Sequence, residues 1–335
     1  MMILVFHYTR LSENCMYLII IIPCLNEEKT ITNVINSIPK KINGISSIEI
    51  LVIDDGSTDN TAELAKKAGT SVISHKINRG VGTAFHTGVE ESIKRGADIV
   101  VNMDGDGQFN PDDIERLIAP ILNNNADCVT ASRFKDKSLS PKMPFIKKWG
   151  NVQMARLISF LTGKKYYDVS CGFRAYSKET ILRMNLFGKF TYTQETFLDL
   201  AFKNMQIVEV PLKVRGEREF GKSRVASNIL KYAINTSKII LRAFRDYKPL
   251  KFFAFLGTVF LILGLCLGVF FIYYYMDTGR FTGQLWAGFS AGFCILFSFL
   301  FFLTGLLGDM LVRIRNNQEK LLYFEKLKIY NTINK

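Results

Sequence analysis

The sequence predicts an α/β domain with a mainly parallel sheet, followed by a hairpin of two helices that cross a membrane. Three observations indicate this architecture. Short apolar runs alternate with helical patterns through the first half of the chain. Polar residues directly follow several of these runs. Near the C-terminus, residues 252–276 and 284–308 form two stretches without a charged residue.

The predicted strands are short, nearly continuous apolar runs separated by amphipathic segments. Such runs are typical of a parallel sheet with helices on both faces. We expect strands at 17–22, 48–53, 71–74, 99–103, 128–131 and 207–214, and helices at 28–38, 61–67, 83–94, 111–122 and 145–161. Residues 133–165 are less regular and basic, with seven lysines.

Polar side chains follow three of the predicted strands: Asn26-Glu27, Asp54-Asp55 and Asp104 to Gln108. Parallel sheets bind ligands beyond the carboxyl ends of their strands, so we expect these side chains to share one edge. Mg²⁺ bound to a diphosphate usually takes one or two carboxylates, with phosphate and water oxygens completing its shell. The pattern therefore predicts a site for Mg²⁺ or Mn²⁺ whose ligands are Asp104, Asp106 and Gln108.

The two uncharged stretches predict a membrane hairpin. Each would extend about 38 Å as a helix, enough to cross a hydrocarbon core of about 30 Å. Basic residues flank both outer ends (Lys248, Lys251, Arg313, Arg315 and Lys320), which places those ends, and the α/β domain, in the cytoplasm. The spacings Gly264-x-x-x-Gly268 and Gly288-x-x-x-Gly292 would allow close helix packing, and with it a homo-oligomer through the hairpin.

The charge distribution points to a membrane surface rather than to nucleic acid. The net charge is +13, and residues 213–251 hold eleven basic and three acidic residues just before the first uncharged stretch. Apolar and basic residues alternate through 227–247, a pattern typical of helices lying on an anionic surface. The six cysteines form no Cys-x-x-Cys pair, so neither a disulfide framework nor a zinc site is predicted.

Six motifs, in this order along the chain, carry a resemblance to a known family. They are Ile-Pro-Cys-Leu-Asn-Glu-Glu (22–28), Val-Ile-Asp-Asp-Gly-Ser-Thr-Asp (52–59), Asn-Arg-Gly-Val-Gly (78–82), Met-Asp-Gly-Asp-Gly-Gln (103–108), Asp-Val-Ser-Cys-Gly-Phe-Arg (168–174) and Arg-Glu-Phe-Gly-Lys-Ser-Arg (218–224). With them the chain resembles family 2 inverting glycosyltransferases, and more narrowly the dolichol-phosphate mannose synthase and polyprenyl-phosphate glycosyltransferase group. The resemblance implies a Rossmann-like catalytic domain of the glycosyltransferase A type.

The resemblance also implies roles for individual residues. Those expected at the nucleotide-sugar are Pro23, Leu25, Asn26, Glu27, Asp54, Asp55, Gly80, Asp104, Gly105 and Asp106. Those expected at the acceptor phosphate are Arg133, Lys147, Arg218 and Arg224. Asp106, Arg133 and Arg218 would be the catalytic residues. Lys147 stands where relatives often have arginine, and Arg224 where the group usually has lysine.

The implied reaction transfers a hexose, from a donor of the GDP-mannose or UDP-glucose type, to dolichyl or undecaprenyl phosphate with inversion. A lipid monophosphate has a second pKa of about 6, so it is a nucleophile at neutral pH and needs no general base. Two alternatives stay open: another family 2 enzyme resembling polysaccharide synthases, and a non-catalytic membrane scaffold. A dehydrogenase is disfavoured, because Gly80-x-Gly82 follows the third predicted strand and lacks a third glycine.

These expectations divide the chain into five parts. Residues 1–16 form an N-terminal extension, because the strand pattern begins at Tyr17, directly after Met16. The catalytic domain spans 17–224, and amphipathic juxtamembrane helices span 225–250. The transmembrane hairpin covers 251–310, and a cytoplasmic tail covers 311–335.

Overall fold

The computed structural model describes residues 16–185, 192–215 and 229–333. At 229–236, 239 and 333 it describes the backbone alone. The described residues form two compact units. The first contains residues up to 236 together with those from 323 onward, and the second contains 237–322.

A seven-stranded sheet forms the centre of the first unit, in the order β3-β2-β1-β4-β6-β5-β7. Pairing is parallel throughout except at β6, which is antiparallel to both β4 and β5. The predicted α/β class with a mainly parallel sheet is therefore confirmed. The strands are β1 (Met16–Cys24), β2 (Ile45–Asp54), β3 (Ser71–Ser74), β4 (Ile99–Asn102), β5 (Cys128–Ser132), β6 (Arg174–Ser177) and β7 (Ile207–Pro211).

Helices cover both faces of this sheet. Those of the first unit are α1 (Ile31–Asn36), α2 (Thr61–Lys67), α3 (Val81–Lys94), α4 (Ile114–Leu122), α5 (Phe145–Thr162), α6 (Lys178–Arg183) and α7 (Thr193–Phe202). The first predicted helix is shorter than expected. Pro39 disfavours helical backbone in the residue before it, and this helix ends at Asn36.

Alternation along β1 divides the core in two. Leu18, Ile20 and Ile22 pack into one cluster, while Ile19 and Ile21 pack into another on the opposite face. Successive side chains of a strand point to opposite faces, so a run of five fully buried apolar residues requires cover on both sides. This burial explains why β1 lacks the polar alternation of a half-exposed strand.

Strand β6 is the element that the sequence did not delimit. It is four residues long and begins with Arg174, whose side chain is fully buried. The guanidinium donates to the backbone carbonyls of Cys171 (2.8 Å), Thr193 (2.7 Å) and Val169 (2.9 Å). A charged residue is thus tolerated inside the sheet because three carbonyl groups accept hydrogen bonds from its guanidinium.

The remaining helices are α8 (Ile229–Tyr247), α9 (Pro249–Thr278) and α10 (Leu285–Ile333). Both α9 and α10 contain a segment that is long and apolar enough to cross a membrane. In the most apolar window of α9 only 11% of residues are buried, unlike the core helix of a soluble protein. A Cβ on Gly264 would lie 3.0 Å from Ile295 and one on Gly288 would lie 2.9 Å from Phe271, whereas Gly292 faces open space. Close packing therefore occurs at two of the four predicted glycines.

The end of α10, from residue 323 onward, belongs to the first unit. Tyr330 is 4% exposed and donates from its hydroxyl to Asp98 Oδ1 at 2.7 Å. Lys178 Nζ lies 4.0 Å from the centroid of the Tyr330 ring, and Lys326 Nζ donates to the Met184 carbonyl at 2.7 Å. Lys326 and Tyr330, near the end of α10, thus pack against the sheet domain.

Candidate active site

The loop after β1 is held in place by the loop after β2. Asn26 has a positive φ of 51°, which asparagine tolerates better than most residues. Its backbone N–H donates to Ser57 Oγ at 2.8 Å, and its Oδ1 accepts from the Thr58 N–H at 2.7 Å. The Glu27 N–H donates to Thr61 Oγ1 at 2.8 Å. The two loops therefore form one rigid rim at the carboxyl ends of these strands.

The aspartates after β2 are buried and organise backbone. Asp54 Oδ1 accepts from the Ser57 N–H at 3.0 Å. Asp55 accepts from the N–H groups of Arg79 (3.0 Å, at Oδ1) and Gly80 (2.7 Å, at Oδ2). His75 Nδ1 lies 2.7 Å from Asp55 Oδ1, and its Nε2 lies 3.1 Å from Thr87 Oγ1. Asp55 thereby fixes the turn that begins α3.

The third loop follows β4 and contains the predicted metal ligands. Asp106 is 2% exposed, and its Oδ1 accepts from the Gln108 N–H at 3.1 Å. The Gln108 side chain donates from Nε2 to the Arg215 carbonyl, and the Arg215 N–H donates to the Gln108 carbonyl, both at 3.1 Å. This reciprocal pair fixes the orientation of the Gln108 amide.

Two glycines keep this loop close to its neighbours. A Cβ on Gly105 would lie 2.6 Å from Cys24 Sγ, and the Gly105 carbonyl accepts from Thr30 Oγ1 at 2.7 Å. A Cβ on Gly172 would lie 3.3 Å from both carboxylate oxygens of Asp104. Side chains at these positions would displace the loop, so the backbone itself forms part of the site.

The donor set of this loop fits a hard divalent cation. Asp104 and Asp106 offer carboxylates and Gln108 an amide oxygen. Among the residues that the structure describes, no three His, Cys, Asp or Glu side chains form a metal cage. Burial raises the pKa of the nearby Cys24 thiol well above its usual value, so Cys24 offers no thiolate. The set suits Mg²⁺ or Mn²⁺ that takes its remaining oxygens from phosphate and water.

A buried ion pair holds Arg133 at the end of β5. Its Nε donates to Asp168 Oδ2 at 2.7 Å, and its Nη2 donates to Asp168 Oδ1 at 2.9 Å and to Ser170 Oγ at 2.8 Å. Burial by itself would raise the pKa of Asp168, but the Arg133 guanidinium and the hydrogen bonds from Arg133 and Ser170 lower it below its ordinary value. Asp168 is therefore a carboxylate at neutral pH, and Arg133 has a fixed orientation.

Glu209 on β7 binds the backbone next to this ion pair. Its Oε1 accepts hydrogen bonds from the Asp168 N–H (2.7 Å) and from Ser132 Oγ (3.0 Å), and its Oε2 accepts from the Tyr167 N–H (2.9 Å). Burial raises the pKa of Glu209, while these hydrogen bonds oppose the rise. Glu209 thus fixes the backbone that carries Asp168.

The structure brings most of the residues predicted at the nucleotide-sugar to one edge of the sheet. Part of the set predicted at the acceptor phosphate lies outside the described residues. Residues after β1, β2 and β4 share one edge of the sheet, as predicted. Lys147 is half-buried on α5, four residues before Asn151, which accepts from Ser170 Oγ at 3.0 Å. Residues i and i+4 share a helix face, so Lys147 lies on the side of α5 that meets the Asp168 loop. Arg218 and Arg224 lie outside the described residues.

Sequence reasoning missed the supporting roles of His75, Asp168 and Glu209. Asp168 lies inside one of the quoted motifs but was given no role. Glu209 interrupts an otherwise apolar strand, and an isolated acid in such a strand is a signal of a buried polar network. His75 has no comparable local signal, because its partner Asp55 is distant in sequence.

Comparisons with known proteins agree with this fold. Residues 19–183 match the family described as Glycosyl transferase family 2. The UDP-N-acetylglucosamine–dolichyl-phosphate N-acetylglucosaminyltransferase of Methanococcus voltae is 37% identical over 224 residues, which cover 61% of this chain and 86% of the relative. The undecaprenyl-phosphate 4-deoxy-4-formamido-L-arabinose transferase of Salmonella choleraesuis is 30% identical over 329 residues, or 93% of each protein.

A solved structure supports the fold. Glucosyl-3-phosphoglycerate synthase from Mycobacterium tuberculosis, in complex with Mn²⁺, UDP-glucose and phosphoglyceric acid, matches with a TM-score of 0.55 and 22% identity over 68% of this chain and 80% of that one. The likeness shows that the first unit has the glycosyltransferase A fold. The family match and the two relatives establish that this chain belongs to glycosyltransferase family 2 and is a glycosyltransferase.

Proposed function

We propose that this enzyme transfers a sugar from a nucleotide-sugar to the phosphate of a polyprenyl lipid at a membrane surface. One observation carries the proposal: a glycosyltransferase site and two helices apolar enough to cross a membrane occur in one chain. Both relatives described above are named for transfer to a lipid phosphate. The alignment with the Salmonella enzyme covers 93% of this chain and so includes the apolar helices.

The donor class is wider than the mannose or glucose donor expected from the motifs. The Methanococcus relative is named for N-acetylglucosamine and the Salmonella relative for a formamido-arabinose. We therefore propose a nucleotide-linked hexose or amino sugar, with UDP-N-acetylglucosamine as the first donor to test. Pro23, Leu25, Asn26, Glu27, Asp54, Asp55, Gly80, Asp104, Gly105 and Asp106 are the residues proposed to bind this donor.

Asp104, Asp106 and Gln108 would hold a divalent cation, which when bound neutralises charge on the departing nucleoside diphosphate. Since Gln108 is oriented by the backbone of Arg215, its amide oxygen keeps one direction before substrate arrives. Asp55 and His75 likewise fix the turn at Gly80 before substrate arrives. Such preorganisation lowers the cost of reaching the transition state.

On the acceptor side, Arg133, Lys147, Arg218 and Arg224 are the proposed phosphate contacts. A lipid phosphate is already largely dianionic at neutral pH, so the protein has to orient it rather than remove a proton. Arg133 supplies a positive charge whose position Asp168 fixes. A single displacement by the phosphate would invert the configuration at the anomeric carbon.

The membrane orientation is also part of the proposal. The positive residues flanking the apolar helices support a cytoplasmic location for both outer ends of the hairpin and for the catalytic domain. A nucleotide-sugar made in the cytoplasm would reach the donor loops directly. Protease accessibility of the catalytic domain in sealed inside-out vesicles is the expected result, and protection there would contradict this orientation.

The test of the function is a transfer assay with the full chain in lipid nanodiscs. Polyprenyl phosphate, or polyprenol as the matched control, is supplied with labelled UDP-N-acetylglucosamine, UDP-glucose and GDP-mannose, with Mg²⁺, Mn²⁺ or EDTA. We expect one sugar per lipid phosphate, no product with polyprenol, and loss of product in EDTA. Transfer that ignores the lipid phosphate would overturn the proposal, and a growing sugar polymer would favour the polysaccharide synthase alternative.

A further inference from the structure

The outward face of α5 carries large apolar side chains that nothing in the described structure covers. Phe145 is 82% exposed, Trp149 55% and Phe160 84%, with Ile146 and Leu157 beside them. Single exposed apolar residues are ordinary on a protein surface, but five on one helix form a patch. These five residues are called the α5 apolar face.

Helix geometry separates this face from the side that packs on the domain. Spacings of four and eleven residues place Phe145, Trp149 and Phe160 within about 60° of one another around the helix. Ala155 and Ile158, which are buried, lie on the opposite side. The domain therefore uses one side of α5 for its core and presents the other to its surroundings.

Charge around the patch identifies its partner. Residues 135–165 contain eight basic residues and one acidic residue, a net charge of +7. Helix α5 itself has Lys147, Lys148 and Arg156 and no acid. A second copy of the chain would bring the same positive charge to the same place, which opposes a dimer through this face. An anionic surface would be attracted instead.

We propose that the α5 apolar face inserts into the headgroup region of an anionic lipid bilayer. Basic helices with aromatic residues on one side bind in this way, with the apolar side buried about 5–10 Å below the headgroups. Tryptophan prefers this interface because its ring is apolar and its indole N–H is polar. Each nearby lysine or arginine strengthens the attraction to such a surface.

This second membrane contact lies in the catalytic domain itself, apart from the helices that can cross the bilayer. Lys147, a proposed acceptor contact, lies on the same helix but on the side that meets the Asp168 loop, away from the apolar face. A helix whose apolar face rests in the headgroup layer would hold this other side close to the layer in which lipid phosphates lie. The inference rests on the membrane location in the proposed function but not on the identity of the donor or on transfer itself.

Trp149 is a built-in probe, since the chain contains one other tryptophan, Trp286. The Trp286→Phe variant of the full chain is reconstituted at one copy per nanodisc, with zwitterionic lipid alone or with added phosphatidylglycerol. Trp149 fluorescence is measured with brominated acyl chains and with aqueous acrylamide. We expect a blue-shifted emission that brominated lipid quenches and acrylamide does not, and stronger lipid quenching with phosphatidylglycerol.

Further variants distinguish insertion of the α5 apolar face into lipid from a solvent-exposed face and from contact with a second copy. Phe145→Ser/Phe160→Ser in the Trp286→Phe background should lose most of the lipid quenching, whereas Ile77→Ser, at an exposed site away from α5, should keep it. Trp149 that stays accessible to acrylamide in both lipids overturns the inference. Shielding from acrylamide without lipid quenching, seen only with two copies per disc, would assign the face to a second copy and also overturn it. Because no readout is transfer, failure of the proposed function leaves this test intact.

Discussion

The proposed donor edge, formed by the loops after β1, β2 and β4, and the proposed acceptor edge, formed by Arg133 and Asp168, hold their charged residues by different means. At the donor edge, Asp54, Asp55 and Asp106 each accept hydrogen bonds from backbone N–H groups of their own or neighbouring loops. At the acceptor edge, Arg133 is held by a side chain, Asp168, which depends in turn on Glu209. The first arrangement fixes loops through their backbone, and the second orients a cation through a chain of buried carboxylates.

This difference matches the two substrates. A nucleotide-sugar is small and soluble, and loops fixed in advance lower the entropy cost of binding it. A polyprenyl phosphate lies in a bilayer, so the protein must present positive charge at the membrane surface. Arg133 is the fixed part of that charge, whereas on α5 Lys147 is half-buried and Lys148 is exposed.

Asp106→Asn should have the largest effect on activity, because it removes a charge from the proposed metal loop. We expect transfer to fall by about 100-fold or more, comparable to the loss of a key electrostatic contact elsewhere. Asp112→Asn is the matched control, since Asp112 is an exposed acid a few residues along the same segment. Rates are measured with labelled donor at saturating lipid phosphate. Full activity in Asp106→Asn would exclude a metal role for this aspartate.

Asp168→Asn tests the acceptor edge. Breaking a buried ion pair by removing one partner typically costs about 3–5 kcal/mol, so we expect a loss of this size in the free energy of unfolding. The pKa of Asp168 is lowered in the folded protein, so its contribution is present above its unfolded pKa of about 3.9 and is lost as the pH falls below that value. Denaturant unfolding at neutral pH measures the effect.

A variant of Arg133, the partner of Asp168, tests whether this ion pair acts on the acceptor alone. Arg133→Lys keeps the charge but loses the two-pronged geometry, and it should raise KM for lipid phosphate more than KM for donor. Equal losses for both substrates would show that the two edges are not separable.

The parts of this molecule that depend on local pattern could be predicted from sequence. Strand β1, helix α2 and the polar loops after β1, β2 and β4 follow from hydrophobic runs and from residues next to them. Strand β6 could not be delimited, because the burial of Arg174 depends on carbonyl groups of Val169, Cys171 and Thr193, and sequence alone does not show that these three converge on one side chain. The packing of Tyr330 against Asp98 joins positions 232 apart, and no local signal marks it.

The candidate site shows the same limit. Asp104, Asp106 and Gln108 were identified because a metal needs that donor set after a buried strand. His75 and Glu209 were missed, because each acts on another residue rather than on a substrate. Their role follows only from three-dimensional contacts.

His75→Ala probes how strongly the donor edge is fixed. The side chain is 6% exposed and orients Asp55, which in turn holds the N–H groups of Arg79 and Gly80. Losing one such hydrogen bond costs about 1 kcal/mol, so nucleotide binding should weaken about fivefold. Calorimetry with UDP and Mn²⁺ measures this, and His86→Ala, on the exposed side of α3, is the control. An unchanged affinity would mean that the Gly80 turn does not contact the nucleotide.

Glu209→Gln should have the smallest effect and a characteristic pH dependence. Burial raises the pKa of Glu209 in the folded protein, so its ionised form opposes folding as the pH rises from the unfolded value of about 4.3 through the folded pKa. Glutamine can still accept from Asp168 N through Oε1 but does not ionise. The wild type should therefore lose stability relative to the variant as the pH rises above the unfolded value of about 4.3.

The size of this stability difference between the wild type and Glu209→Gln tests the contrast between the two edges. At neutral pH the variant loses charge-assisted hydrogen bonds but also avoids burying a charge, so the net change should stay within about 1 kcal/mol. Glu63→Gln, on the exposed surface of α2, should show no such slope. The opposite slope would mean that the hydrogen bonds to Glu209 outweigh its burial. The acceptor edge would then be as firmly fixed by backbone N–H groups as the donor edge, and the contrast between them would disappear.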